Sequence, residues 1–447
     1  MRLLVPGRSS FFALALIAVL AAVIAGLRVF SEWHEALDNA GNALIALAVV
    51  MLGWALLDAL VSLRRPAPEL RRRLPQSLAL NRPATVELCL IPTAKISERW
   101  LVQDHYPREG SSSASAIPCT TEAGRAVEVR YQWTPLERGD FLFDGLSLRC
   151  NSFWRFWHLQ QRLPLQTSVK VFPDFARLRS ELRPSSKSNY KNSGIRKRPK
   201  RGSGLDFHQL REYRQGDSLR QIDWRATSRR LQLISREYQD ERDQQIIFML
   251  DAGRRLLDQD DQLSHFDHAL NALLMVAHVA LKQGDAVAMM SFGGENRWVA
   301  PVKGVLNIGR LLNGFYDLQP QPVASDYIVA AESLIQRYRK RALVVLVTNL
   351  QDDSPEELAP AIRLLQKHHL VMVANLNEPS LLEKSKKPIE DLDDALGWCS
   401  IAEYQQGRQH TQERLRNSGV ILVDTPPQGL LFRLSEAYLA VKAAGRL

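Results

Sequence analysis

Two apolar runs near the amino terminus, FFALALIAVLAAVIAGL (Phe11–Leu27) and ALIALAVVMLGWALL (Ala43–Leu57), constrain the fold more than any other feature. Neither contains a charge and both are apolar on all sides, so neither has the polar face that a helix on a soluble core needs. With its flanks, each reaches the roughly 20 residues needed to cross a bilayer as a helix. Only RVFSEWHEALDNAGN separates them, which predicts a transmembrane helical hairpin over residues 1–67. Arg2 and Arg8 precede the first run, and Arg64, Arg65 and Arg71–Arg73 follow the second. The short loop carries Glu32, Glu35 and Asp38 against Arg28 alone. That asymmetry predicts a multi-pass protein of the cytoplasmic (inner) membrane with its soluble parts in the cytoplasm. A cleaved signal peptide is the rival reading, suggested by the small residues at Ala22–Gly26 and opposed by the second run that follows at once. Asp58 reads as an acid at headgroup level, since a lone carboxylate gives no relay for ions.

Beyond the hairpin the pattern shifts to short alternating runs. ATVELCLIP, AVEVRYQW, FLFDGLSLRC and SVKVFPD are rich in β-branched and aromatic residues and are separated by turn formers. Residues 68–180 are expected to form an antiparallel β-sandwich-like domain, with Trp133, Trp154 and Trp157 in its core or at its rim. Residues 181–240 begin with a polar, glycine-containing linker in which Arg183–Arg201 holds eight Lys or Arg and no acid. It reads first as a solvated hinge, then as a patch for anionic lipid, and last as a nucleic-acid site, for which no aromatic platform is present. No specific nucleic acid is expected. The chain's formal charge of +10 owes much to this segment. Four scattered cysteines without a Cys-x-x-Cys pair point to reduced thiols.

Residues 241–447 alternate strand and helix. QQIIFMLD, DAVAMMSF, RALVVLVTNL, LVMVANL and GVILVD have the unbroken apolar centres of buried parallel strands, and RWVAPV reads as a short edge strand. This predicts a doubly wound, Rossmann-like α/β domain whose ligands bind at the carboxyl ends of the strands. Asp251, Thr348 and Asn349 fall there.

Between the linker and this domain, LREYRQGDSLRQIDWRATSRR (Leu210–Arg230) holds six arginines and three carboxylates. Asp217 or Ser218 is placed to cap a helix carrying Leu219, Ile222 and Ala226 on one face. Trp224 is expected to be buried, and Arg220 or Arg229 to pair with a carboxylate. Gly204, Phe207, Leu210, Arg211, Glu212, Tyr213, Gly216, Asp217, Arg220, Ile222, Asp223, Trp224, Ser228 and Arg229 together make a pattern that resembles the domain-of-unknown-function family numbered fifty-eight. The resemblance extends through SREYQDER and back to PLERGDFLFDGLSLR. It implies a membrane hairpin, a β domain, a von Willebrand factor type A-like domain, and a partnership with MoxR-type AAA+ ATPases. On that reading the arginine-rich segment either docks a partner or pins the linker to the domain.

Metal-binding type A domains end their first strand in Asp-x-Ser-x-Ser and hold Mg²⁺ through those oxygens. Here the run is DAGRR. Asp251 matches, whereas Gly253 and Arg255 supply no side-chain oxygen. Asn349 stands where an Asp is usual, and Ser325 is the candidate for the threonine. Asp251, Ser325, Thr348 and Asn349 thus form a degenerate set, and no cofactor is expected. No Walker loop, His-Glu-x-x-His or Gly-x-Ser-x-Gly elbow occurs. His368 and His369 read as surface residues at a helix end. The function expected is that of a non-enzymatic, membrane-anchored adaptor or scaffold for a MoxR-type ATPase in protein assembly or maturation. The alternatives are a lipid- or nucleic-acid-binding module using the basic linker, and an enzyme with a cryptic site near Asp251.

Overall fold

The computed structural model describes the chain apart from residues 1, 31–33, 94–96, 123–124, 175–205, 215–218, 240–243, 261–262, 351–354, 379–380, 382–383, 386–387, 390 and 447. The basic linker and Asp217 lie outside the described residues. Two compact units are present, residues 1–171 and 172–447.

The first unit contains two apolar helices, α1 (Arg8–Phe30) and α2 (His34–Leu63). Their segments Arg8–Leu27 and Asp38–Leu63 are long and apolar enough to cross a membrane. Phe12, Leu16, Ile45 and Leu52 face outward from them, where a soluble protein would bury such side chains. A strand that the sequence reading missed, β1 (Arg2–Pro6), precedes α1 and pairs antiparallel with β10 (Trp157–Phe172).

The β-sandwich expectation holds as two antiparallel sheets. One has the order β1-β10-β9-β5-β7, with β3 (Ser77–Ala79) beside β10; here β5 is Glu98–His105, β7 Ile117–Thr121 and β9 Gly139–Asn151. The other has the order β2-β4-β8-β6, with β2 at Glu69–Arg73, β4 at Ala84–Ile91, β6 at Gly110–Ser112 and β8 at Val127–Pro135. Period-2 alternation buries Val86, Leu88 and Leu90 from β4 against Val129, Tyr131 and Trp133 from β8. In β9 the buried set switches phase between Phe143 and Leu146, opposite the register shift at Pro164–Thr167 in β10. A bulge of this kind reverses which residues face the core.

Arg72 of β2 was expected among the juxtamembrane charges but lies inside the sandwich. Its guanidinium forms an ion pair with Asp104 and donates to the carbonyls of Leu165 (2.6 Å) and Gly145 (3.1 Å) and to Thr167 Oγ1 (3.1 Å). The Tyr131 hydroxyl donates to Asp104 Oδ2 at 2.6 Å. A buried arginine is tolerated because its charge is paired and its N–H groups have acceptors.

In the second unit, β11 (Asp206–Glu212) and β12 (Ile234–Gln239) form an antiparallel pair. Between them lie a 3₁₀ turn at Leu219–Gln221 and the helix α3 (Trp224–Arg230). A six-stranded sheet follows, with β13 at Gln245–Asp251; a two-residue pair, β14 (Gln259–Asp260) and β15 (Leu263–Ser264), then leads into α4 (His265–Lys282). The remaining strands are β16 (Ala286–Phe292), β17 (Trp298–Lys303), β18 (Leu343–Thr348), β19 (Leu370–Leu376) and β20 (Ile421–Thr425). Their spatial order is β17-β16-β13-β18-β19-β20, parallel except at the β17 edge.

One face of the sheet packs on α4 and on α9 (Leu430–Ala443), with α5 (Ile308–Phe315) beside them. The other packs on α6 (Tyr327–Arg337) and α7 (Pro355–Gln366), and takes Leu415 from α8 (Leu392–Asn417). Strands buried on both faces need the continuous apolar runs seen in β13, β16 and β18. A reciprocal capping box between Ser264 and Asp267 starts α4 and fixes its entry onto the sheet. In this strand order the direction of winding reverses between β13 and β18, and that is where a doubly wound sheet opens a crevice at its carboxyl edge.

Candidate functional site

At that crevice Asp251 ends β13 and is fully buried. Its Oδ1 accepts from the Gly253 amide (2.9 Å) and from Ser325 Oγ (2.5 Å). Its Oδ2 accepts from Thr348 Oγ1 (2.7 Å) and from the Tyr327 hydroxyl (3.2 Å). Thr348 closes β18, and Ser325 and Tyr327 flank the start of α6, where Asp326 caps the helix through the amides of Ile328 and Val329. Arg255 is buried as well; its Nη1 donates to the Tyr327 oxygen at 2.8 Å, and its guanidinium lies 5.3 Å from that ring's centroid. Burial, and after it the adjoining Asp251 carboxylate, raises the Tyr327 phenol above its ordinary range and keeps it protonated as a donor.

The structure therefore brings together Asp251, Ser325 and Thr348, with Tyr327 as a member that sequence reasoning missed. Its signal in the sequence is the VASDY run, which places Tyr327 two residues after Ser325. Asn349 is buried but turned away, donating to Glu378 Oε1 at 3.1 Å. The glycines at this point have a packing reason. A Cβ on Gly253 would meet Ser325 Oγ at 2.2 Å, and one on Gly293 at 2.1 Å. The serine hydroxyl thus occupies the room that a second Asp-x-Ser oxygen would need. A hard cation would have to displace donors from both Asp251 oxygens and settle near the Arg255 guanidinium, so this donor set does not fit Mg²⁺. Among the described residues no group of three or more His, Cys, Asp or Glu is placed to hold a metal. Beside Gly293 a mostly apolar cleft of about 280 Å³ opens, bordered by Phe292, Trp298, Val323, Ser333 and Arg337.

The arginine-rich segment departs from expectation in two ways. The helix α3 starts at Trp224, so Leu219 and Ile222 precede it, and Asp223 caps it, accepting from the amides of Arg225 and Ala226 at 3.0 Å each; the expected caps Asp217 and Ser218 lie outside the described residues. It also pairs with Arg236 on β12 at 2.9 Å. These hydrogen bonds, first that from the Ala226 amide, hold its carboxyl below the usual range. Trp224 is 67% exposed, and Leu219 faces solvent with it. Among the described residues of the segment, Ile222 alone is buried, beside the buried Ile234 and Ser235 of β12. Leu231 ends the helix in the left-handed region. Arg211 and Glu212 lie on β11, and Tyr213 follows it with its amide on the Leu233 carbonyl. Arg220 belongs to the 3₁₀ turn, Ser228 donates to the Arg225 carbonyl, and Arg229 is exposed. His369 is buried and His368 is not, a correction to the reading of both as surface residues.

Residues 209–399 match the model of the family described as Protein of unknown function DUF58. The chain carries a DUF58 segment. That segment includes the Asp223-capped helix and the Asp251 crevice. No curated protein matches the chain. Solved structures resemble it weakly. Escherichia coli alpha-2-macroglobulin, from domain MG7 to the C-terminus, is 12% identical, with 24% of this chain and 17% of that one covered and a TM-score of 0.20. A FixG-related protein from Vibrio parahaemolyticus is 9% identical, covering 24% and 97%, with a TM-score of 0.18. A cohesin module from Clostridium perfringens is 11% identical, covering 24% and 96%, with a TM-score of 0.16.

Proposed function

We propose that this DUF58 protein is a membrane-anchored, non-enzymatic adaptor that works with a MoxR-type AAA+ ATPase at the inner face of the cytoplasmic membrane, in the assembly or maturation of other proteins. The exposed α3 surface carries the proposal. Trp224 stands in solvent on a short helix that also carries Arg225, Arg229 and Arg230, its backbone fixed by the Asp223 cap and the Arg236 ion pair. An uncovered indole among arginines on a fixed backbone has the composition of a binding hot spot. Had the segment served only to pin the linker, Trp224 would be the natural residue to bury.

Supporting points come from the rest of the chain. The strand order with its single antiparallel edge supports a type A-like reading, and the Asp251 oxygens are occupied by internal donors. Its open carboxyl edge is a second surface for protein contacts. Pairing of β1 with β10 brings residues before α1 and residues after α2 into one sheet. Both ends of the hairpin therefore lie on one side, as two crossings require. ATP hydrolysis belongs to the partner, since this chain has no phosphate loop.

The test is co-purification of the tagged full chain in mild detergent, with the AAA+ ATPase identified by mass spectrometry. Trp224→Ser should leave the melting temperature unchanged and lower ATPase recovery at least tenfold. Equal recovery from the variant would sink the α3 docking surface, and absence of any AAA+ ATPase from the wild-type preparation would sink the partnership.

A further inference from the structure

The loop between β9 and β10, residues Ser152–Phe156, is gripped by the apolar hairpin. The Asp58 carboxylate of α2, fully buried, accepts from Ser152 Oγ (2.5 Å) and from the Trp154 amide (3.3 Å). Trp157 Nε1 donates to the Ala55 carbonyl at 2.8 Å. From α1, the hydroxyls of Ser9 and Ser10 donate to the carbonyls of Arg155 and Phe156, and the Gly7 amide donates to Phe156 at 2.7 Å. Gly7 is required for this approach, because a Cβ there would meet the Arg155 oxygen at 2.7 Å.

Held in this way, the loop turns its aromatic side chains outward. Phe153 is 61% and Trp154 41% exposed, stacked edge-to-face on each other and, through Trp154, on Trp54 of α2. The helix beside them remains apolar: Leu56, Leu57, Leu60 and Val61 are all exposed. Ala55 lies ~12 Å along the axis from Leu63, at ~1.5 Å per residue. The loop therefore stands at a depth where α2 still presents leucines, on the bilayer side of Arg64 and Arg65. Arg155 and Arg8, both exposed, supply cations beside the aromatic pair. Phe and Trp beside arginine form the composition of a membrane–water boundary, with rings at the acyl edge and guanidinium groups at phosphate level.

We infer that the Phe153–Trp154–Arg155 tip enters the same leaflet as the hairpin and binds anionic phospholipid headgroups, so that the β domain is held to the bilayer at a second point. The inference rests on the hairpin reading. Asp58 is then the latch that fixes the tip at its depth, in place of the headgroup acid expected from sequence.

The full chain is reconstituted in nanodiscs of phosphatidylglycerol and phosphatidylcholine, with a photoreactive benzoylphenylalanine at Phe153. A separate variant carries the same group at Leu20 in α1. Mass spectrometry identifies what each captures. Lipid adducts at position 153 are expected, with phosphatidylglycerol enriched over its share of the bilayer and the enrichment lost in Arg155→Gln. Adducts with protein alone at 153, including a second copy of this chain, or no adduct there, overturn the inference. Lipid adducts without enrichment overturn its anionic part. The Leu20 variant reports on the hairpin separately: adducts there with none at 153 would retain the hairpin and reject the lipid-binding tip.

Discussion

Single residues decide what the Asp251 crevice is. With Ser325 Oγ in the room beside Gly253, replacing that glycine by serine to restore an Asp-x-Ser pattern should overpack the site and cost about 1–3 kcal/mol. Adding Ser325→Gly should recover only part of this, because the Val323 carbonyl lies 2.7 Å from the same Cβ. Calorimetry on the wild-type chain should give no saturable Mg²⁺ isotherm; one abolished by Asp251→Ala would overturn the metal-free reading. His369 carries a second expectation. It is buried, with both ring nitrogens unpartnered among the described residues. Burial, with His368 adding to it, lowers its pKa. As pH falls below the ordinary histidine value of about 6.5, the unfolded chain takes up a proton that the folded chain refuses. Stability present above that pH is lost as pH falls toward the lowered folded value. His369→Leu should flatten the fall in melting temperature between about pH 7 and 5, and an unchanged slope would assign the acid sensitivity to other groups.

At the scale of elements, β2 shows how much a strand's register decides. Arg71–Arg73 reads in sequence as a basic run behind a membrane helix, but every second residue of a strand points inward, and only pairing with β4 determines that Arg72 is the one. Asp104→Ala would leave that guanidinium buried and unpaired and should cost about 3–5 kcal/mol in urea unfolding in detergent micelles. Arg72→Met with Asp104→Leu should cost much less, since an apolar pair of similar size leaves no charge behind; equal losses would show that the pair does not act as a unit. The strands of the α/β sheet were legible because burial on both faces forces unbroken apolar runs, and those of the sandwich because one buried face forces alternation. The α3 cap was not. The helix start at Asp223 is held by the Asp223 amide on the Ile234 carbonyl and by the Arg236 ion pair, both from β12 further along the chain. The exposed Trp224 was misread because an indole is ordinarily buried, and an exposed surface role leaves no trace in local pattern. Asp251, Ser325 and Thr348 were legible as strand-end and loop oxygens; Tyr327 was not, because an aromatic at a helix start looks like core.

For the whole molecule, the hairpin reading makes a direct expectation. Asn39→Cys in the short loop should react with an impermeant thiol reagent in intact cells, whereas the native exposed Cys399 should react only after the membrane is opened. Labelling of Cys399 in intact cells would reverse the topology. The strand before α1 has a further consequence, in the order of events during synthesis. Residues 2–6 leave the ribosome before the hairpin, yet their partners at 157–161 follow about 150 residues later, on the order of ten seconds at bacterial and eukaryotic elongation rates. The hairpin is complete well before then. On the hairpin reading, a nascent chain in which only one of the two helices crossed would strand β1 across the bilayer from β10, leaving the sheet without its edge and Gly7, Ser9 and Ser10 without the loop they hold. On that reading, completion of the sheet selects, after the fact, the chains in which both helices crossed.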